Sequence, residues 1–161
     1  MKIAFFELED WEKKYLEKKL KEHTLLFYNT PLSHENNATT KDAEILSTFI
    51  YSSVTKDIID AFPKLRFITT RSTGYDHIDL DYCKKKKIIV STVPDYGANT
   101  VAEHAFALLL ALSRRLIPSV ERTRRGNFEL DGLRGFDLHG KTLGVIGVGH
   151  IGTEVIRIAK G

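Results

Sequence analysis

Five short apolar runs dominate the N-terminal part of the chain: "KIAFFEL" (2–8), "TLLFYN" (24–29), "EILSTFIY" (44–51), "LRFITT" (65–70) and "KIIVST" (87–92). None alternates strictly between apolar and polar residues, so a strand made from any of them must be covered on both faces. Charged segments of helical length lie between them, among them "DWEKKYLEKKLKEH" (10–23) and "DLDYCKKKK" (79–87). Strand and helix in repeated succession predict an α/β fold, a flavodoxin- or Rossmann-like doubly wound parallel sheet. The polar, irregular stretch 29–42 reads as a surface connection.

A change of character follows at "PDYGANT" (94–100), where Pro94 and Gly97 break the strand pattern. "TVAEHAFALLLALSRRL" (100–116) opens with a T-x-x-E capping box, Thr100 to Glu103, and is apolar on nearly every face. The pattern predicts a buried helix that Pro118 kinks or ends. "ERTRRGNFELDGLRGFDLHGK" (121–141) is polar and glycine-bearing, an exposed arm or long loop. "TLGVIG" (142–147) then reads as another buried strand and "HIGTEVIRIAK" (150–160) as the helix after it. The expected division is 1–98 and 99–161.

Two loops carry the chemistry. Gly147, Gly149 and Gly152 in "GVIGVGHIG" have the G-x-G-x-x-G spacing, preceded by an apolar run and followed by an amphipathic segment. In a dinucleotide site the first glycine makes the tight turn and the second lets backbone approach a pyrophosphate. The third lets the helix pack close to the strand, whose phosphates then rest on the helix N-terminus. An ordinary strand–turn–helix corner has the same glycines, but the flanking pattern favours the cofactor site. A P-loop is excluded, because no Gly-Lys-Ser/Thr follows. The other loop, "TTRSTGYDHIDL" (69–80), puts Thr73 and Gly74 just past a strand's carboxyl end, where open α/β sheets bind ligands. Its N–H groups suit a small carboxylate; equally, Gly74 serves only a turn and Asp76 or Asp79 only a helix cap.

Taken together, "RSTGYDHIDLDYCKKK" (71–86), "VPDYGANTVAEHAFALLLALSRR" (93–115) and "TLGVIGVGHIG" (142–152) resemble the D-isomer-specific 2-hydroxyacid dehydrogenases, most closely the D-lactate dehydrogenase branch. The resemblance implies a substrate domain over 1–98, followed by the bridging helix and the first strand, loop and helix of an incomplete Rossmann NAD-binding domain over 99–161. It implies substrate-binding roles for Thr73, Gly74 and Tyr96. It further implies that Val101 lies against the nicotinamide and that Gly147, Gly149, His150, Ile151 and Gly152 form the pyrophosphate loop. The cofactor implied is NAD, with NADP an open alternative, and the substrate a small 2-oxoacid such as pyruvate. No residue present matches the family's arginine, histidine acid/base or glutamate; those fall beyond Gly161, so this length alone is expected to have little or no turnover. Two other classes remain in view: an NAD-sensing, partner-binding co-repressor, and one half of a split enzyme.

A net charge of +3, from 24 basic and 21 acidic residues, gives no footprint for nucleic acid or a membrane surface. The basic runs 84–87 and 121–125 lack interleaved aromatics and read as solvated faces. The single cysteine, Cys83, makes no internal disulfide, and no signal peptide opens the chain, so a cytoplasmic protein is expected. His23, His34, His77, His104, His139 and His150 lack zinc-site spacing, so no metal is expected. The lysines near Cys83 would lower its pKa, though a bystander thiol is the simpler assignment. An unfinished sheet edge at "TLGVIG" would favour dimerisation, and a homodimer is the expected assembly.

Overall fold

The computed structural model describes residues 1–33 and 40–161; His34 and the middle of the 29–42 connection lie outside the described residues. The chain divides into two compact units, Met1–Tyr96 and Gly97–Gly161.

In the first unit the five apolar runs become β1 (Lys2–Phe5), β2 (Thr24–Phe27), β3 (Ile45–Thr48), β4 (Phe67–Thr70) and β5 (Ile89–Ser91). All pair in parallel, in the order β2-β1-β3-β4-β5. This is the doubly wound order that reverses direction between β1 and β3, and ligands of such sheets bind at the carboxyl ends beside that reversal. Helices α1 (Asp10–Lys19), α2 (Lys56–Asp60) and α3 (Leu80–Lys86) complete the unit.

Continuous apolar runs are required because neighbouring residues of β1 enter different cores. Ile3 and Phe5, with Leu8, pack on Leu16 and Leu20 of the α1 side. Ala4 and Phe6 join Leu46, Ile58, Ile68 and Cys83 on the α2 and α3 side. An aromatic pair braces each layer, Phe5 on Phe27 at 5.6 Å and Phe6 on Tyr28 at 4.9 Å between ring centroids. At the start of α1, the Glu12 carboxylate accepts the Glu9 N–H at 2.8 Å, and acidic residues in the first turn with lysines in the last complement the helix dipole. Asp79 caps α3 by accepting the Tyr82 N–H at 2.9 Å, as one of the two aspartates was expected to do.

The α2–α3 surface is pinned by Tyr82, whose hydroxyl donates to Asp60 while its ring lies under Lys56 and Lys86. The hydrogen bonds from Lys86, Tyr82 and Lys56 hold the Asp60 carboxyl well below the usual carboxylate range. Cys83 is buried on this side, and burial, aided by Asp79, pushes its thiol up. The neighbouring lysines do not reverse that shift.

The second unit contains α4 (Ala98–Ser113), α5 (Leu116–Arg124) and α6 (His150–Lys160). Three sequence expectations are corrected here. Gly97, not Thr100, precedes the first turn of α4, and its carbonyl accepts the Val101 N–H at 3.0 Å; Thr100 and Glu103 make no capping box. Of α4 only Ala102 and Ser113 are buried, while Leu108, Leu110 and Leu112 are exposed, because apolarity on all sides records what a helix can bury and not what covers it. The break expected of Pro118 is present: α4 stops at Ser113, capped by Arg114, the residue four before the proline whose carbonyl its ring and missing N–H cannot accommodate, and Pro118 itself sits in the first turn of α5. Finally, 142–147 is not a strand and Ile146 is fully exposed, since a strand needs a ladder partner and no strand lies in this unit among the described residues.

The segment between α5 and α6 folds back on its own unit. Phe136 donates its N–H to the Ser113 carbonyl at 3.0 Å, and a Cβ on Gly135 would overlap that carbonyl oxygen. Arg122 holds the carbonyls of Glu129, at 2.8 Å, and Asp131. The basic run 121–125 is thus divided between a helix end and an internal clamp.

Leu46 is wholly buried at the centre of β3. Leu46→Ala is expected to lower the unfolding free energy by about 3 kcal/mol in urea titration. A loss under about 1 kcal/mol would mean that the β3 core is not close-packed.

Candidate functional site

The carboxyl ends of β1, β3 and β4 meet at Arg71, the first residue past β4. Its guanidinium donates to the carbonyls of Phe6 at 2.9 Å and Glu7 at 2.8 Å, and to Ser47 Oγ at 3.1 Å. It also pairs with the Glu12 carboxylate at 3.2 Å and lies over the Phe49 ring. The five donors of a planar guanidinium suit such a divergent set of acceptors. Glu7 carries a second set of bonds at the same edge. Its backbone takes the left-handed φ of +58°, a conformation that costs energy for a residue with a side chain. Its carboxylate accepts the Tyr51 N–H at 2.8 Å and the Ser52 hydroxyl at 3.1 Å, and Ser52 in turn accepts the Leu32 N–H.

Against this frame lies the loop 71–78. Arg71 N–H joins it to the Thr48 carbonyl, and Thr73 Oγ1 donates to the Val93 carbonyl at 2.9 Å. The loop is therefore tied to the 93–96 segment that ends in Tyr96, which is exposed. The N–H groups of Thr73 and Gly74 have no acceptor among the described residues and lie just past the β4 carboxyl end. A substituent at Gly74 would meet only Asp76, at 3.8 Å, so its glycine is not forced by space or by φ. His77 closes the loop, its carbonyl accepting the Val54 N–H at 2.8 Å. Its Nε2 is buried without a hydrogen-bond partner among the described residues. Burial lowers the His77 pKa, outweighing the opposing charges of Glu7 and Asp76.

In the second unit Gly147, Gly149, His150, Ile151 and Gly152 come together at the start of α6. Gly147 has φ +90°, open only to glycine at low cost, and a Cβ on Gly152 would overlap the Gly147 carbonyl oxygen. Gly149 precedes the helix, its carbonyl accepting the Thr153 N–H at 2.9 Å. The N–H groups of Ile151 and Gly152 have no acceptor among the described residues, as the first turn of a helix requires. Val101 lies one turn into α4, half-exposed, and α4 packs against α6. Among the described residues no group of three or more His, Cys, Asp or Glu side chains is placed to hold a metal ion, and no helix is long and apolar enough to cross a membrane.

Arg71, Ser72, Glu7 and His77 were not singled out from the sequence. A charged residue directly after a buried strand, as Arg71 follows "FITT", was the available signal; Glu7, inside an apolar run, offered a weaker one.

Comparison with known proteins gives the family. The family described as D-isomer specific 2-hydroxyacid dehydrogenase, catalytic domain, matches residues 3–156, and the chain belongs to it. It is 37% identical to a 2-hydroxyacid dehydrogenase homolog of Zymomonas mobilis, over 98% of this chain and 49% of that one. It is 34% identical to D-lactate dehydrogenase of Escherichia coli, over 100% of this chain and 50% of that one. Among solved structures, D-lactate dehydrogenase from Aquifex aeolicus complexed with NAD and lactic acid superposes with a TM-score of 0.91 at 38% identity, over 98% of this chain and 48% of that one. The chain spans about half the length of the curated relatives it matches.

Two outcomes follow from the sheet edge. Arg71→Leu strands the carbonyls of Phe6 and Glu7 and leaves Glu12 without its cation, so calorimetry is expected to show a loss of about 2–3 kcal/mol. Because the folded His77 pKa lies below its unfolded value, the folded state binds fewer protons, and stability present above about pH 6.5 is lost as pH falls toward the folded pKa. His77→Gln should flatten that slope of urea-unfolding free energy against pH; an unchanged slope would assign it to another group.

Proposed function

We propose that this chain is the N-terminal portion of an NAD-dependent D-2-hydroxyacid dehydrogenase, resembling D-lactate dehydrogenase, that reduces a 2-oxoacid such as pyruvate to the D-2-hydroxyacid. The observation carrying this proposal is the cradle at Gly147–Gly152. It combines a left-handed turn, a glycine that admits no side chain and two open N–H groups on a helix N-terminus. Those features fit a pyrophosphate, with its negative charge on the positive end of the helix dipole. NAD is the preferred cofactor, and NADP fits the same loop.

When bound, the nicotinamide supplies a hydride to the substrate's C2 carbon. The chain's residues bind and orient. Thr73 and Gly74 hold the substrate carboxylate through their N–H groups, as the D-lactate dehydrogenase resemblance implies, and Tyr96 lies beside it. Val101 gives an apolar contact for the nicotinamide face. Gly147, Gly149, His150, Ile151 and Gly152 hold the phosphates, through the N–H groups of Ile151 and Gly152 above all. Reduction also needs a proton donor at the carbonyl oxygen and a positive charge on the carboxylate. No residue described here matches those roles, so turnover belongs to the whole protein. The first unit acts as the substrate domain and the second as the opening of the NAD domain. The whole protein works as a cytoplasmic homodimer, and Leu116, Ile117, Phe128 and Leu130, exposed in the second unit, are apolar surface that pairing would cover.

The test compares the 161-residue chain with the product of the whole gene. Titrating NADH into the labelled chain is expected to shift the amides of Ile151 and Gly152, and Gly152→Val to abolish the shift. The whole gene product with pyruvate and NADH should form D-lactate, while the 161-residue chain should not. Absence of NADH binding overturns the cofactor assignment, and turnover by the chain alone overturns the division of the active site.

A further inference from the structure

Ser72 lies between the strand β4 and the two N–H groups assigned to the substrate carboxylate. It is 3% exposed, and Thr70, beside it, is 0% exposed. Its hydroxyl donates to the Gly74 carbonyl at 2.7 Å and is 2.6 Å from Thr70 Oγ1. A hydroxyl has one proton. Since that of Ser72 is used on Gly74, Thr70 must donate to Ser72, which sets a directed chain from Thr70 through Ser72 to Gly74. The Ser72 backbone is fixed as well, because its carbonyl accepts the Val93 N–H at 3.0 Å.

Each of these bonds turns a peptide plane. A trans peptide points its C=O and N–H in opposite directions. With the Ser72 carbonyl held toward Val93, the Thr73 N–H of the same peptide must face away from β5. With the Gly74 carbonyl held toward the buried Ser72 hydroxyl, the Tyr75 N–H must face away from the sheet interior. The Thr73–Gly74 peptide is suspended between these two fixed planes. Thr73 Oγ1, bonded to Val93, adds a third tie and is kept occupied there.

We propose that Ser72, supported by Thr70, is a positioning residue for a carboxylate receptor: its carbonyl, held by Val93, aims the Thr73 N–H, and its hydroxyl, by fixing the Gly74 carbonyl, limits the rotation of the Thr73–Gly74 peptide that carries the Gly74 N–H. The proposal rests on the substrate-loop assignment above. Ser72 touches no substrate atom; it acts through the loop backbone.

The test uses the labelled 161-residue chain and oxamate, a small 2-oxoacid-like carboxylate, followed through the amide resonances of Thr73 and Gly74. In the unaltered chain both amides are expected to shift in a saturable way. Ser72→Ala should weaken oxamate binding by roughly fivefold, the worth of one ordinary hydrogen bond, and Thr70→Val by less. Ser72→Thr, which keeps the hydroxyl, should bind as the unaltered chain does. Each variant's melting temperature is measured alongside, because a purely structural role would lower stability in Ser72→Ala without moving the affinity of the folded fraction. Saturable shifts with equal affinity in the unaltered chain and Ser72→Ala would overturn the positioning role and leave the substrate loop standing. No shift at Thr73 and Gly74 in the unaltered chain would overturn the loop assignment and this proposal with it.

Discussion

In a parallel sheet every strand ends at the same edge and delivers unpaired carbonyl groups there, a local excess of acceptors that must find donors or water. At the ends of β1, β3 and β4 they find Arg71. The guanidinium collects the carbonyls of Phe6 and Glu7 and the hydroxyl of Ser47, and is neutralised by Glu12 at the head of α1. Glu7 works the same edge from the acceptor side, taking the Tyr51 N–H and the Ser52 hydroxyl. The loops after three strands are thereby fixed relative to one another by two charged side chains at that edge.

That arrangement explains why the open N–H groups of Thr73 and Gly74 are a property of the fold and not a loose turn. The loop is bonded on either side of them: Arg71 N–H to Thr48, the Ser72 carbonyl to Val93, the Gly74 carbonyl to Ser72, the Tyr75 carbonyl to Ile78 N–H. A loop so constrained loses little conformational entropy when an anion arrives, which is the usual gain from preorganisation. The glycine turn before α6 achieves the same end by different means. There the open donors come from the helix terminus itself, and the turn's shape is enforced by a residue with φ +90° and another with no room for a side chain.

The strands of the first unit were legible in the sequence because burial on both faces erases alternation and leaves continuous apolar runs. The α3 cap was legible because aspartate before a helix has a local partner, the N–H three residues on. What failed shares one cause: "TLGVIG" and the apolar α4 are patterns of potential burial, and a pattern does not contain its partner. The same holds for the Thr100–Glu103 pair, a local motif displaced when the helix begins earlier, at Ala98. Arg71 and Ser72 escaped notice for the complementary reason. Their roles depend on Phe6, Glu7, Ser47 and Val93, brought near only by the sheet's register.

Register also links the two levels of the site. The β4–β5 pairing sets Thr69 opposite Ser91, and the Ser72 carbonyl meets Val93 N–H as the first bond past that ladder. The β3–β4 pairing sets Thr48 opposite Thr70, and the Arg71 N–H continues that ladder onto the Thr48 carbonyl. Slipping either pair by one residue would turn every side chain of the moved strand to the other face and take Ile68 out of the α2 and α3 core in which it is wholly buried. The apolar core therefore selects the register, and the register sets the direction of the Thr73 N–H. The hydrophobic pattern that made the fold readable is, two steps removed, what aims that N–H.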